Sequence, residues 1–204
     1  MALRTDAIGA NGGSVGVAMT PVPKVDTYLP GAGCLLCLAA ASLANSSLTA
    51  HARTLGAEDL PKLKTEVAEL IRKKGGKAIV IDEELKLDAL GSFSGSAPNA
   101  AKKDFMPLQR KYGVDKLVVI DLNTVGFVRN YSAYVPTSDP KGTVAGVGYM
   151  VNLKDNTYEW YLPVNVTKSA DGAWDEPPKF PGLTNSYFQA VEMGRDALLR
   201  PFSQ

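Results

Sequence analysis

The chain has 204 residues, 45% hydrophobic and 21% charged, the composition of a globular protein able to bury a sizeable core. A formal net charge of +1 excludes the basic field that captures nucleic acid, and no nucleic-acid partner is expected. The longest apolar run, residues 34–41, is far shorter than the roughly 20 residues a helix needs to span a bilayer.

Residues 1–13 are small and polar and lack the apolar core of a secretion signal, so they are expected as a flexible lead. No repeat or composition shift divides residues 14–204, which are expected to form one α/β domain. "SVGVAMT" (14–20) reads as a first strand. A long loop with Pro21, Pro23 and Pro30 follows. From residue 34 to about 55 the text predicts one helix, apolar at its start and more polar toward His51 and Arg53. Residues 58–74 carry Leu60, Leu63, Val67, Leu70 and Ile71 at helical spacing, with charges opposite and Gly75-Gly76 as a stop. A short buried strand is expected at 77–83. After a Ser/Gly loop, Asn99 is a candidate N-cap for a helix over 100–113, with Pro107 as a local flaw. A central strand at 116–128 precedes a β-hairpin of 142–153 and 157–166. Glycines in "GTVAGVG" (142–148) suit close packing or a bend within that strand. A Pro/Gly loop (169–182) leads to a closing amphipathic helix (183–202), with Thr184 as its cap. The order β-α-α-β-α-β-β-β-α predicts an α/β sandwich with a mixed sheet and helices packed on it.

The chemistry concentrates on Cys34 and Cys37, spaced C-x-x-C. The preferred reading is two small apolar residues packing on one helix face with Leu38 and Ala41. A passive disulfide is a second reading. A redox dithiol at a helix N-terminus, where the dipole lowers a thiol pKa, is a third. The element order is similar to that of thioredoxins, but "GAG" precedes the pair, "LL" separates it, and no proline directly precedes the strands at 116 or 142. His51 lies about four helical turns beyond Cys37, too far to complete a zinc site, and no metal is expected. "GAGC" lacks the leucine and the preceding apolar core of a lipidation signal. No phosphate-binding glycine motif and no nucleophile elbow occurs, so no cofactor is expected. Asp82, Glu83 and Glu84 read as a solvated strand end. Strand alternation puts Tyr158 and Trp160 on one face and Glu159 on the other.

Aromatic residues crowd the later sheet and its loops. The polar, Pro-bearing connection 129–141 is the first choice for a recognition loop. Arg129, Tyr131, Tyr134, Trp160 and Trp174 are the candidate partner-binding residues.

"LQRKYGVDKLVVIDLNTVGF" resembles the helix-then-strand step of small periplasmic lipoprotein domains, carried here by Tyr112, Gly113, Asp115 and residues 117–120. The similar families are the curli-assembly outer-membrane lipoproteins and the lipoprotein activators of penicillin-binding proteins, whose folds are anticodon-binding-like. The resemblance implies a non-enzymatic periplasmic or outer-membrane protein with a protein partner, reaching the membrane only through an anchor or leader that this sequence lacks. The Cys-bearing helix has no counterpart there. The alternatives are a thioredoxin-like oxidoreductase using Cys34 and Cys37, with a cytoplasmic location open, and a small-ligand or peptidoglycan-binding module using the aromatic sheet face.

Overall fold

In a computed structural model describing residues 1–204, the strand order is set by one long central strand. The elements are β1 (Ser14–Met19), β2 (Asp26–Tyr28), α1 (Leu35–Ala44), α2 (Ser46–Ala52), α3 (Leu63–Lys73), β3 (Lys77–Val80), α4 (Met106–Tyr112), β4 (Lys116–Val128), β5 (Tyr131–Ser132), β6 (Val135–Pro136), β7 (Lys141–Asn152), β8 (Thr157–Ser169) and α5 (Pro181–Ser203). Six strands form a mixed sheet in the order β3-β1-β4-β7-β8, with β2 also paired to β4. β3 and β1 run parallel, as do β1 and β4 and the β2–β4 pair. β7 and β8 complete an antiparallel meander. The expected α/β architecture with helices on a mixed sheet is therefore present. β5 and β6 form a separate small hairpin.

Alternation along the strands divides the core. Val17 and Met19 of β1, Val118 and Ile120 of β4 and Met150 of β7 join the cluster that also holds Leu63, Val67 and Ile71 of α3 and Leu183, Tyr187 and Leu198 of α5. Ala18, Leu117, Val119 and Val151 face the other way, onto Ile81, Leu85, Phe105 and Leu108. Two bulges keep this sorting intact. The first lies between Leu122 and Thr124 and shifts the core-facing parity, so that Val125 and Phe127 continue the face of Leu122. The second leaves Glu159 without a counterpart between Tyr158 and Trp160. It turns Tyr158 toward Tyr149 on one face and Trp160 toward Phe202 on the other. The expected same-face placement of Tyr158 and Trp160 is thus corrected. Glu159 itself pairs with Lys116 at 2.6 Å.

Helix α5 approaches the sheet so closely that a Cβ on Gly142 would stand 2.4 Å from the Ser186 carbonyl oxygen, the close packing its glycine-rich strand suggested. The helix starts at Pro181, so Thr184 lies inside it rather than capping it. The step matched in the sequence is built around Gly113, a left-handed C-cap of α4 at φ 66°. Asp115 then accepts the Ser14 N–H and hydroxyl, both at 2.7 Å, and ties the starts of β1 and β4 together.

Other departures have local causes. The segment expected as one helix from 34 is two, bent by 71° at Asn45. The loop after β1 contains β2, which three polar or aromatic residues between prolines did not announce. Helix α4 begins only at Met106, which puts Pro107 in the first turn, where its missing N–H costs nothing. Asn99 is no cap; its amide donates to the Tyr158 carbonyl at 2.9 Å. Within the expected flexible lead, residues 5–7 form a 3-10 turn, and Ile8 is 1% exposed because it enters the main core.

Asn156, in the turn between β7 and β8, is wholly buried and sits at φ 58°. Its side chain accepts the Phe105 N–H at 2.9 Å and donates to the carbonyls of Lys103 at 2.9 Å and Ala101 at 3.3 Å. It anchors the 99–105 segment to the meander. Asn156→Ala is expected to cost about 2–4 kcal/mol, from lost bonds to buried backbone groups and a left-handed alanine. Urea unfolding measures this, and a loss under about 0.5 kcal/mol contradicts the anchoring role.

Candidate functional site

The two features singled out in the sequence, the cysteine pair and the 129–141 connection, meet in space. Cys34 is the N-cap of α1, in extended conformation, and its Sγ accepts the Cys37 N–H at 2.9 Å. The two cysteines form a disulfide with their Cα atoms 4.9 Å apart. The pair is therefore bridged, as a passive disulfide is and as the oxidised form of a redox pair also is. Cys37, Ala41 and Ala32 pack with Tyr131 in a four-residue cluster separate from both main clusters. The expected packing of both cysteines with Leu38 and Ala41 is corrected in part: Cys37 and Ala41 share this small satellite, whereas Cys34 is exposed and Leu38 is 47% exposed.

The β5–β6 hairpin is tied to the approach to α1. Tyr131 donates its N–H to Pro30 at 2.8 Å, and Ala133 donates to Gly31 at 3.2 Å. A Cβ on Gly31 would collide with the Tyr131 carbonyl, and its φ of 90° is a glycine conformation. The Tyr134 hydroxyl lies 3.7 Å from Cys34 Sγ; a bridged sulfur carries no proton, so the hydroxyl is the donor.

A buried polar network locks the bend. Asn45 is 2% exposed, and its amide donates to the Tyr131 hydroxyl and the Ala41 carbonyl, both at 2.7 Å. Its Oδ1 accepts from Arg129 Nη1 at 3.1 Å, and Arg129 Nε donates to the Ser138 carbonyl at 3.2 Å. The Arg129 guanidinium lies 4.9 Å from the Trp174 ring centroid, a cation–π pair. Trp174 stacks on Phe180, which leans on His51. His51 is half-buried, with Nε2 at 2.7 Å from the Thr184 hydroxyl.

Of the sequence candidates, Arg129, Tyr131, Tyr134 and Trp174 are thus gathered around α1. Tyr131 is buried beneath the helix, Arg129 and Trp174 are half-buried supports, and Tyr134 is 56% exposed. Trp160 is elsewhere, 2% exposed against α5, and presents no docking surface. Asp82, Glu83 and Glu84 are exposed, and Glu83 pairs with Lys111 at 2.6 Å.

Sequence reasoning missed what α1 shows to the outside. Leu35 is 86% exposed, Leu36 70% and Leu43 77%, and at the hairpin tip Tyr134, whose hydroxyl reaches Cys34, and Val135 are exposed as well. At 100° per residue, Leu35, Leu36, Ala39 and Leu43 fall within an arc of about 100°. No Lys, Arg, Asp or Glu occurs between Asp26 and Arg53. That charge gap was the available signal. A separate cavity of about 540 Å³ lies between Leu3, Trp160, Leu162 and Arg200, and no His, Cys, Asp or Glu lines it.

Fold and site together define an α/β protein that displays a disulfide-capped apolar helix beside an aromatic hairpin. No family model and no curated protein matches the chain. Among solved structures, a PelC dodecamer from Paraburkholderia phytofirmans is similar at 9% identity and a TM-score of 0.39, over 100% of this chain and 91% of that one. The lipoprotein GNA1162 from Neisseria meningitidis is similar at 11% identity and a TM-score of 0.37, over 88% and 97%. A hypothetical protein from Chlamydia trachomatis is similar at 9% identity and a TM-score of 0.34, over 92% and 98%.

Burial, and then the charge of Lys179, hold the His51 pKa below the ordinary histidine value. The unfolded chain therefore takes up a proton before the folded one as pH falls. The stabilising contribution is complete above about pH 6.5 and is lost as pH drops through that value toward the folded one. His51→Gln is expected to flatten the acid limb just below about pH 6.5, read as urea midpoints. An acid limb unchanged by the substitution assigns it to the carboxylates instead.

Proposed function

We propose that this chain is a non-enzymatic cell-envelope protein that works by contact, and that α1 with the tip of the β5–β6 hairpin is its contact surface. One observation carries the reading: an apolar helix, fixed at its start by a disulfide, is left facing outward. Covering a leucine is worth about 1.5–3 kcal/mol. A contiguous apolar patch on a folded chain marks an interaction site. The disulfide accords with an oxidising compartment, where such bridges persist. The resemblance to periplasmic lipoprotein domains points to the same compartment and to attachment at the outer membrane. Tyr134 and the α1 leucines make the contact; Arg129, Tyr131 and Trp174 hold them in place.

One observation favours a second reading. Cys34 is exposed at a helix N-terminus and its sulfur accepts an amide, as a thiol–disulfide oxidoreductase requires. Against it, the buried residues of α1 belong to the satellite cluster and not to the sheet clusters.

Two measurements test these readings. Maleimide trapping in intact cells is expected to find the pair unreactive until a reductant is added; free thiols in the native compartment overturn the envelope assignment. Catalysed insulin reduction above the dithiothreitol background favours the oxidoreductase. For the contact surface, a diazirine side chain in place of Leu36 or Tyr134 is expected to give adducts in cells, and one in place of Phe188, 48% exposed on α5, is expected to give none. Equal yields at all three sites overturn the assignment of the surface.

A further inference from the structure

We infer that α1 contacts the acyl region of a lipid bilayer, so that the chain carries a membrane-touching element of its own; this rests on reading α1 as the contact surface. Together, α1 and α2 have the length and composition of a membrane span, with no more than two charged residues in an 18-residue window. The pair is bent by 71° at Asn45, and its second half is committed to the protein core, so it does not cross. Helix α1 alone, at 10 residues, is about 15 Å long, half of the bilayer core. Helix α2 turns inward and buries Leu48 and Ala52 in the main cluster. Only α1 is left to lie along a surface.

Two ordinary explanations for such a helix fail on position. A core helix is buried, whereas eight of the ten α1 residues are exposed. A removable leader precedes the fold, whereas β1 and β2 come before α1 and pair with β4 in the sheet. Its side chains point to lipid rather than protein. Protein interfaces carry about one hydrogen bond per 100–200 Å² and are rich in arginine and aromatic anchors. The outward stripe of Leu35, Leu36, Ala39 and Leu43 offers no donor, acceptor or charge. A bilayer interior demands none from side chains, and at the α1 start Cys34 Sγ takes up the Cys37 N–H. Tyr134, with its hydroxyl at Cys34 and its ring exposed, suits the interfacial belt where tyrosine is enriched. Docked this way, α1 sits about 5–10 Å deep in one leaflet.

A stripe without charge binds regardless of headgroup charge. The oxidised chain is expected to co-float with vesicles of phosphatidylcholine alone and with added phosphatidylglycerol, within about twofold of each other, and to resist added salt. Leu36→Glu combined with Leu43→Glu should weaken flotation by at least about tenfold, with circular dichroism unchanged because both sites are exposed. Leu36→Trp should show blue-shifted emission quenched by brominated acyl chains. Absence of flotation, flotation only on anionic vesicles, or equal flotation of the double Glu variant overturns the inference. So does lipid-free dimerisation that the same variant abolishes, which assigns the face to a second copy and leaves the contact reading standing. Loss of the Leu36 and Tyr134 photo-adducts in cells removes the contact reading itself.

Discussion

The meeting of α1 with the β5–β6 hairpin follows from the pairing of β4. One edge of this 13-residue strand is covered by β7 along almost its whole length. The other edge is shared by two parallel strands: β1 over residues 116–120 and β2 over residues 126–128. The chain therefore leaves the sheet after β1, passes Pro21 and Pro23, and returns to the same edge farther along. It arrives at the C-terminal end of β4, and the residues that follow β2 lead into α1. The residues that follow β4 are Arg129, Tyr131 and the small hairpin. Helix and hairpin meet because both hang from one end of one strand.

That shared attachment explains how an almost uncovered helix keeps a defined orientation. Its apolar support is only Ala32, Cys37, Ala41 and Tyr131. Polar bonds supply the rest. Asn45 uses both side-chain atoms, and its partners Tyr131 and Arg129 come from the hairpin side. Such a network specifies geometry when fully satisfied. Trp174, Phe180 and His51 extend the brace toward α5.

Periodicity made the large elements legible: β4, β7, β8, α3 and α5 declare themselves by alternation or by helical spacing, and these elements build the sheet and its main helical layer. Other features depend on contacts that lie far apart in the chain. Glu159 reads as one more alternating residue, and only its pairing with Lys116 and the inserted register reveal the bulge that separates Tyr158 from Trp160. Trp160 looked available because aromatics suit both cores and interfaces; α5 settles it by covering the ring with Phe202. The C-x-x-C spacing is equally compatible with packing, bridging and catalysis. The grouping of Arg129, Tyr131, Tyr134 and Trp174 was visible as composition, but which of them faces outward depended on where the hairpin folds. The exposed leucines ran against the usual rule that an apolar run seeks the core. The missing charges between Asp26 and Arg53 were the trace they left.

The separateness of the four-residue cluster has a consequence for how this surface can change over generations. Leu35, Leu36 and Leu43 bear no weight in the sheet or its two cores. Substitutions there leave folding almost untouched and are judged by selection only through what the helix touches. The architecture thus splits the chain into a conservative frame and a freely adjustable facet, joined at Asn45 and pinned at Cys34. A lineage can retune the facet for a different surface without renegotiating the frame.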